Sequence, residues 1–251
     1  MRLRRPVVTG GILFGMAIKV GILQAGSPPP PLADQFGSYG AMVQDLLGPQ
    51  HEFAVFDVRN GDLPAQPGSC AAYVITGSAA GVYDGDSWIG PLKDFVREAS
   101  GRSALVGICF GHQLMAEAFG GRVIKSPKGW GIGLHRYDVQ ERAAWMDDAH
   151  SIAVPASHQD QIVKLPQDAR VLGGSEFTPY GIVDYPQRRA MSLQSHPEFS
   201  PEYAAALIEL RRSSKYTDEQ ADRALQTLRQ PNDRARVGTW LAQFLRSNVR
   251  G

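Results

Sequence analysis

The stretch Leu105-Val106-Gly107-Ile108-Cys109-Phe110-Gly111-His112-Gln113 constrains the fold of this chain more than any other. A short apolar run ends at Cys109, and a helical pattern starts immediately after it. Glycines stand two residues before and two residues after the cysteine. Gly-x-nucleophile-x-Gly is the pattern of a strand-to-helix elbow, a turn too tight for side chains on both flanks. Such an elbow lifts its central side chain over the C-terminal edge of a sheet. It also sets that side chain at a helix N-terminus, where free N–H groups favour negative charge. A lone cysteine is more often a small buried hydrophobe. The paired glycines and the strand–helix switch point instead to a nucleophile, with the N–H of Phe110 as a candidate oxyanion donor.

An elbow of this kind needs a parallel sheet around it, and the first half of the chain supplies the pattern. Apolar, β-branched runs at 18–23, 53–58, 71–76 and 104–108 alternate with helical patterns at 35–47, 88–99 and 111–119, as in βαβ units. From 131 onward the character changes. Strand-like runs at 131–139, 151–157, 169–176, 180–184 and 189–194 follow one another with no long helix between them, which suggests antiparallel additions to the sheet. Helical patterns at 201–212, 218–229 and 233–247 close the chain. With no internal repeat, low-complexity tract or linker, one α/β domain over 18–248 is expected.

Residues 1–17 are read as an N-terminal extension, with Met16 as the alternative start. Their basic opening (Arg2, Arg4, Arg5) and apolar middle make a signal peptide the competing reading. No stretch is long and apolar enough for a bilayer span. A formal net charge of +1 gives no reason to expect nucleic acid or an anionic membrane as partner. Two cysteines cannot build a disulfide framework, so a reducing, cytoplasmic setting is expected.

A thiol nucleophile needs a base, and the base needs an orienting group. Ser195-His196-Pro197-Glu198 ends one strand and precedes a helix, so His196 also stands at a C-terminal sheet edge, where α/β sites assemble. Glu198, two residues on, is close enough to accept a hydrogen bond from the imidazole and hold its tautomer. Taken alone, His-x-Glu is also the sequence of a surface turn or of half a metal site. No third ligand group stands at recognisable spacing, so neither a metal nor another cofactor is expected.

Together, Gly107-x-Cys109-x-Gly111-x-Gln113 and His196-Pro197-Glu198 resemble the class I glutamine amidotransferase family, notably the amidotransferase part of GMP synthase and stand-alone γ-glutamyl peptidase-like members. The resemblance covers about residues 18–210. It implies a flavodoxin-like, three-layer α/β/α domain with a mostly parallel central sheet. It also implies Cys109 as nucleophile, His196 as general base and then acid, Glu198 as the orienter of His196, and Gln113 as a holder of the glutamyl amino-acid end. Thr76-Gly77-Ser78 stands where the family has a Gly-rich oxyanion loop, which makes Gly77 and Ser78 candidates for the second oxyanion donor. This chain has Gly-Ser-Ala where the family usually has a Gly-Gly-Pro-like run. Ser157-His158-Gln159-Asp160 resembles the family's substrate-contacting Ser-His-x-Asp segment and adds Ser157 and His158, the latter with no identifiable partner.

The other conspicuous residues read as structural. Cys70 lacks an elbow and a base, and His112 is expected to pack behind the elbow. The four tryptophans are scattered. Gly129-x-Gly131-x-Gly133 precedes a strand where a dinucleotide fingerprint would open a helix. No Walker A sequence is present, and Gly173-Gly174-Ser175 lacks the aspartate of a pyrophosphatase loop. The expected function is hydrolysis of the γ-glutamyl amide of glutamine or a γ-glutamyl compound through a cysteine thioester. Two alternatives stand beside it: a glutaminase subunit delivering ammonia to a separate synthetase, and a non-catalytic binding protein on the same fold.

Overall fold

The computed structural model describes residues 17–249, so nearly all of the expected N-terminal extension lies outside the described residues. Its central strands follow from side chains alternating across a pleated backbone. In β1 (Lys19–Gln24), Val20 and Ile22 enter one core and Leu23 the other. β3 (Ala72–Ile75) divides Ala72 and Val74 from Tyr73 and Ile75 in the same way. In β4 (Ala104–Ile108), Ala104, Val106 and Ile108 face one side and Leu105 the other. Apolar residues on both faces mean that the sheet must be covered on both sides, which parallel strands with crossover helices achieve.

One cover is made by α3 (Ile89–Ala99) and α4 (Phe110–Ala118), and the opposite cover by α2 (Tyr39–Leu47) and α7 (Arg234–Asn248). Between them lies a nine-stranded sheet in the order β2-β1-β3-β4-β11-β10-β9-β6-β7. β2 (Glu52–Asp57), β1, β3, β4 and β11 (Ala190–Leu193) run parallel. The sheet then continues through antiparallel pairings of β10 (Ile182–Tyr185), β9 (Arg170–Gly174), β6 (Gly131–Val139) and β7 (Ser151–His158). The fold is the expected α/β/α domain with antiparallel additions. β4 and β11 are neighbours although about eighty residues of chain separate them, so the two segments carrying Cys109 and His196 leave the same edge side by side.

Two local features differ from the sequence reading. The helix expected at 35–47 is two helices, α1 (Pro30–Phe36) and α2. Gly37 breaks the run at φ +75°, and Ser38 then caps α2 by accepting the N–H of Ala41. Pro30 and Pro31 open α1, because proline is tolerated in a helix's first turn. The second feature is an antiparallel ribbon of β5 (Arg122–Lys125) and β8 (Asp160–Lys164), for which no strand was expected at either position. At four and five residues these strands are too short for their alternation to stand out. Finally α5 (Pro201–Arg211) and α6 (Asp218–Thr227) pack against β6, α5 also against β7, and α6 starts with a Thr217–Gln220 capping box.

Candidate active site

The elbow at the end of β4 is steric in origin. A Cβ on Gly107 would lie 2.6 Å from both the Gly111 carbonyl oxygen and the Met115 sulfur, and one on Gly111 would lie 2.4 Å from the Ile75 carbonyl oxygen. With those approaches open, α4 starts directly after Cys109, which takes φ 51° and ψ −100°. A non-glycine residue at that angle is strained, and such strain concentrates at functional sites. The Cys109 N–H is anchored to the Leu193 carbonyl of β11 at 2.8 Å, and the Cys109 thiol points to the Ser157 carbonyl at 4.0 Å. Phe110 is the first residue of α4, so its N–H has no acceptor within the helix, while its ring packs in the core at 5.4 Å from Trp88.

His196 follows β11 and is 3 % exposed. Its Nδ1 lies 2.7 Å from Glu198 Oε1, and Phe199 stacks on the imidazole with ring centroids 3.9 Å apart and planes 7° apart. With Nδ1 engaged by Glu198, Nε2 is left free, and Cys109 stands near enough for its charge to act on the imidazole. Burial alone would depress the basicity of His196. The neighbouring Cys109 and Glu198 charges and hydrogen bonds outweigh it and raise the pKa to about 10. Cysteine, imidazole and carboxylate therefore converge in one place.

Cys109 and His196 line a cleft of about 360 Å³, with Glu198 buried behind the imidazole. Ser78, Gln113, Ser157 and His158 line it, as the sequence suggested. Gly77 lies instead against the imidazole, where a Cβ would come within 2.8 Å of His196 Cε1. Gln113 donates from Nε2 to the Asp160 carbonyl at 2.9 Å and to Gln194 Oε1 at 3.2 Å, so its amide group is fixed in the wall. His158 has a partner after all: its Nδ1 is 3.3 Å from the Asp160 carbonyl and its Nε2 3.5 Å from Thr178 Oγ1. Burial, aided by His135 and His196, pushes its pKa down to about 3, so it is a neutral, structural part of the wall. His112 packs behind the elbow, hydrogen-bonded to Ser192 Oγ at 2.7 Å. Cys70 is buried away from the cleft, its thiol pKa raised by burial.

Several residues of the site carried no signal in the sequence. Tyr39, Phe199 and Arg211 line the cleft, and Arg234 holds the His-Pro-Glu turn from behind, donating to the Pro197 carbonyl at 2.9 Å and the Glu198 carbonyl at 3.2 Å. Only Phe199, next to His-Pro-Glu, could have been found by its place in the chain. The others arrive through tertiary packing.

The model of the glutamine amidotransferase class-I family matches residues 64–210, more than half of the chain. The chain belongs to this family. A glutamine amidotransferase-like protein of Schizosaccharomyces pombe is 29% identical over 92% of the chain and 99% of its own length. Gamma-glutamyl peptidase 4 of Arabidopsis thaliana is 30% identical over 69% of the chain and 73% of its own length. Among solved structures, a glutamine amidotransferase from Thermotoga maritima superposes with a TM-score of 0.71 over 93% of this chain and 99% of that one. At 17% identity, that likeness speaks to the fold.

Proposed function

We propose that this class I amidotransferase-family protein is a cysteine hydrolase that cleaves γ-glutamyl amide bonds and works without a synthetase. The observation that carries the reading is the convergence of Cys109 and His196 in the wall of one cleft, with Glu198 holding the imidazole from behind. In the proposed reaction the Cys109 thiolate attacks the γ-carbonyl carbon. The Phe110 N–H and the Gly77-Ser78 loop stabilise the oxyanion. The C–N bond breaks as the His196 imidazolium gives its Nε2 proton to the departing amine, leaving a glutamyl thioester. Water then attacks the thioester and yields its proton to His196. The C–S bond breaks, releasing the γ-carboxyl product and restoring the thiolate. Glu198 holds the tautomer and balances the imidazolium throughout.

Small residues, Ser78 to Gly81, border the cleft beside the nucleophile and leave room for a leaving group larger than ammonia. The likeness to a γ-glutamyl peptidase supports the same choice. A non-catalytic binding protein would have no use for a strained elbow cysteine. The catalytic unit is proposed to span 18–248, and its free thiol suits a reducing, cytoplasmic location. Steady-state release of amine from a γ-glutamyl dipeptide and of ammonia from glutamine tests the proposal. The isolated protein is expected to turn over at least the dipeptide. Silence on both substrates, relieved only by an added ATP-dependent synthetase, would establish the subunit reading instead.

A further inference from the structure

The arginines near the C-terminal end of α5 are unequally treated. Arg212 is held by Glu209, Asp218 and Asp222. Arg223 pairs with Glu219, and Arg236 with Asp147 and Asp233. Arg211, one residue from the most heavily paired of them, has no carboxylate partner among the described residues. Among the described residues its guanidinium makes one hydrogen bond, from Nη1 to Ser157 Oγ at 3.3 Å. A half-buried guanidinium with most of its donors unused has given up water without gaining a counter-charge, an arrangement that favours an anionic ligand. Arg211 lines the same cleft as Cys109, and so does Lys215, which is exposed and has no ion pair among the described residues.

The carboxylates of the cleft have partners of their own. Asp84 accepts the Gly81 N–H at 2.7 Å, Asp160 accepts the Tyr83 hydroxyl at 2.8 Å, and Glu198 serves His196. Lys125 faces Asp160 in the β5–β8 register.

The wall also says which end of a substrate Arg211 would meet. The departing amine must lie on the side of His196, which protonates it. Phe199 stacks on His196, Tyr39 packs on Phe199 at 5.5 Å, and both cluster with Tyr203 and Leu207 of α5, from which Arg211 follows at the next four-residue step on the same helix face. Gln113 takes no part in this row of side chains: its amide is held by the Asp160 carbonyl and Gln194 Oε1.

We propose that Arg211, with Lys215 at the rim, forms a subsite for an anionic group on the leaving amine. The preferred substrates are then γ-glutamyl amino acids or peptides whose amine portion carries a free carboxylate. This rests on the hydrolase reading above.

The test is a matched pair, γ-glutamylglycine and γ-glutamylglycinamide, which differ only in that carboxylate. Wild type is expected to favour the carboxylate in kcat/KM by about tenfold or more. Arg211→Ala should bring the ratio near one, Arg211→Lys should keep part of it, and added salt should shrink it in wild type. A wild-type ratio near one, or an Arg211→Ala variant that loses rate on both substrates with the ratio intact, would overturn the subsite and leave the hydrolase reading standing. If wild type turns over neither compound, the hydrolase reading fails. The subsite is then judged by protection of Cys109 from iodoacetamide: stronger protection by γ-glutamylglycine, lost in Arg211→Ala, upholds it, and equal protection by both compounds rejects it.

Discussion

His196 sits where burial and charge oppose each other, and charge prevails. Because its pKa is raised, the imidazolium persists through neutral pH and is lost only as pH climbs toward about 10. The alkaline limb of the kcat/KM profile should therefore reflect loss of that proton. Glu198 is one of the groups that raise it, so Glu198→Gln should move the limb to lower pH. An unmoved limb in the variant would assign it to another group. His196→Asn removes the proposed proton carrier itself and should cost more, about 10² to 10⁴ in rate. Gly77 offers a subtler handle on the same ring. Gly77→Ala would set a methyl 2.8 Å from His196 Cε1 and displace the imidazole. Since a misplacement of about 1 Å can cost about 10²-fold, kcat should fall steeply. Near-wild-type kcat in that variant would mean that the ring tolerates the shift.

At the scale of elements, the β4–α4 turn works only because helix and strand approach within backbone contact. Gly111→Ala places a methyl 2.4 Å from the Ile75 carbonyl oxygen, which neither β3 nor α4 can readily yield. A loss of about 1–3 kcal/mol is expected, read as a lowered midpoint in thermal denaturation. An unchanged midpoint would show that the approach is looser than it looks. Arg234, at the start of α7, ties that helix to the turn bearing His196 and Glu198 through two carbonyls. These elements were unequally visible in the sequence. β1, β3 and β4 announce themselves through unbroken apolar runs, because both their faces are buried. Cys109 and His196 announce themselves because the glycine spacing and the His-Pro-Glu turn are local patterns at strand ends. The β5–β8 ribbon is short and partly exposed, and the α1–α2 break hangs on one glycine in an otherwise helical stretch. Arg211, Arg234 and Tyr39 have no local pattern at all, since their roles depend on which helix packs against which strand end.

For the whole molecule, what matters is that the nine-stranded sheet places β4 beside β11, so that the segments bearing Cys109 and His196 leave one edge together. The antiparallel extension brings β7 and its Ser157 carbonyl to the same place, and α5 closes the far wall with Arg211. No described helix is long and apolar enough to cross a membrane. The cleft opens on one side of a single domain, and everything the proposed reaction needs lies along it, which is why activity is expected from the isolated chain. The most direct measurement is steady-state amine release from a γ-glutamyl dipeptide by the purified protein and by its Cys109→Ala variant, with circular dichroism as a check that both are folded. The wild type should turn over and the variant should lose roughly three orders of magnitude or more, since a nucleophile and its base act as a unit. A folded variant within about tenfold of wild type would contradict the account, because no elbow thiol could then be the group that attacks the amide.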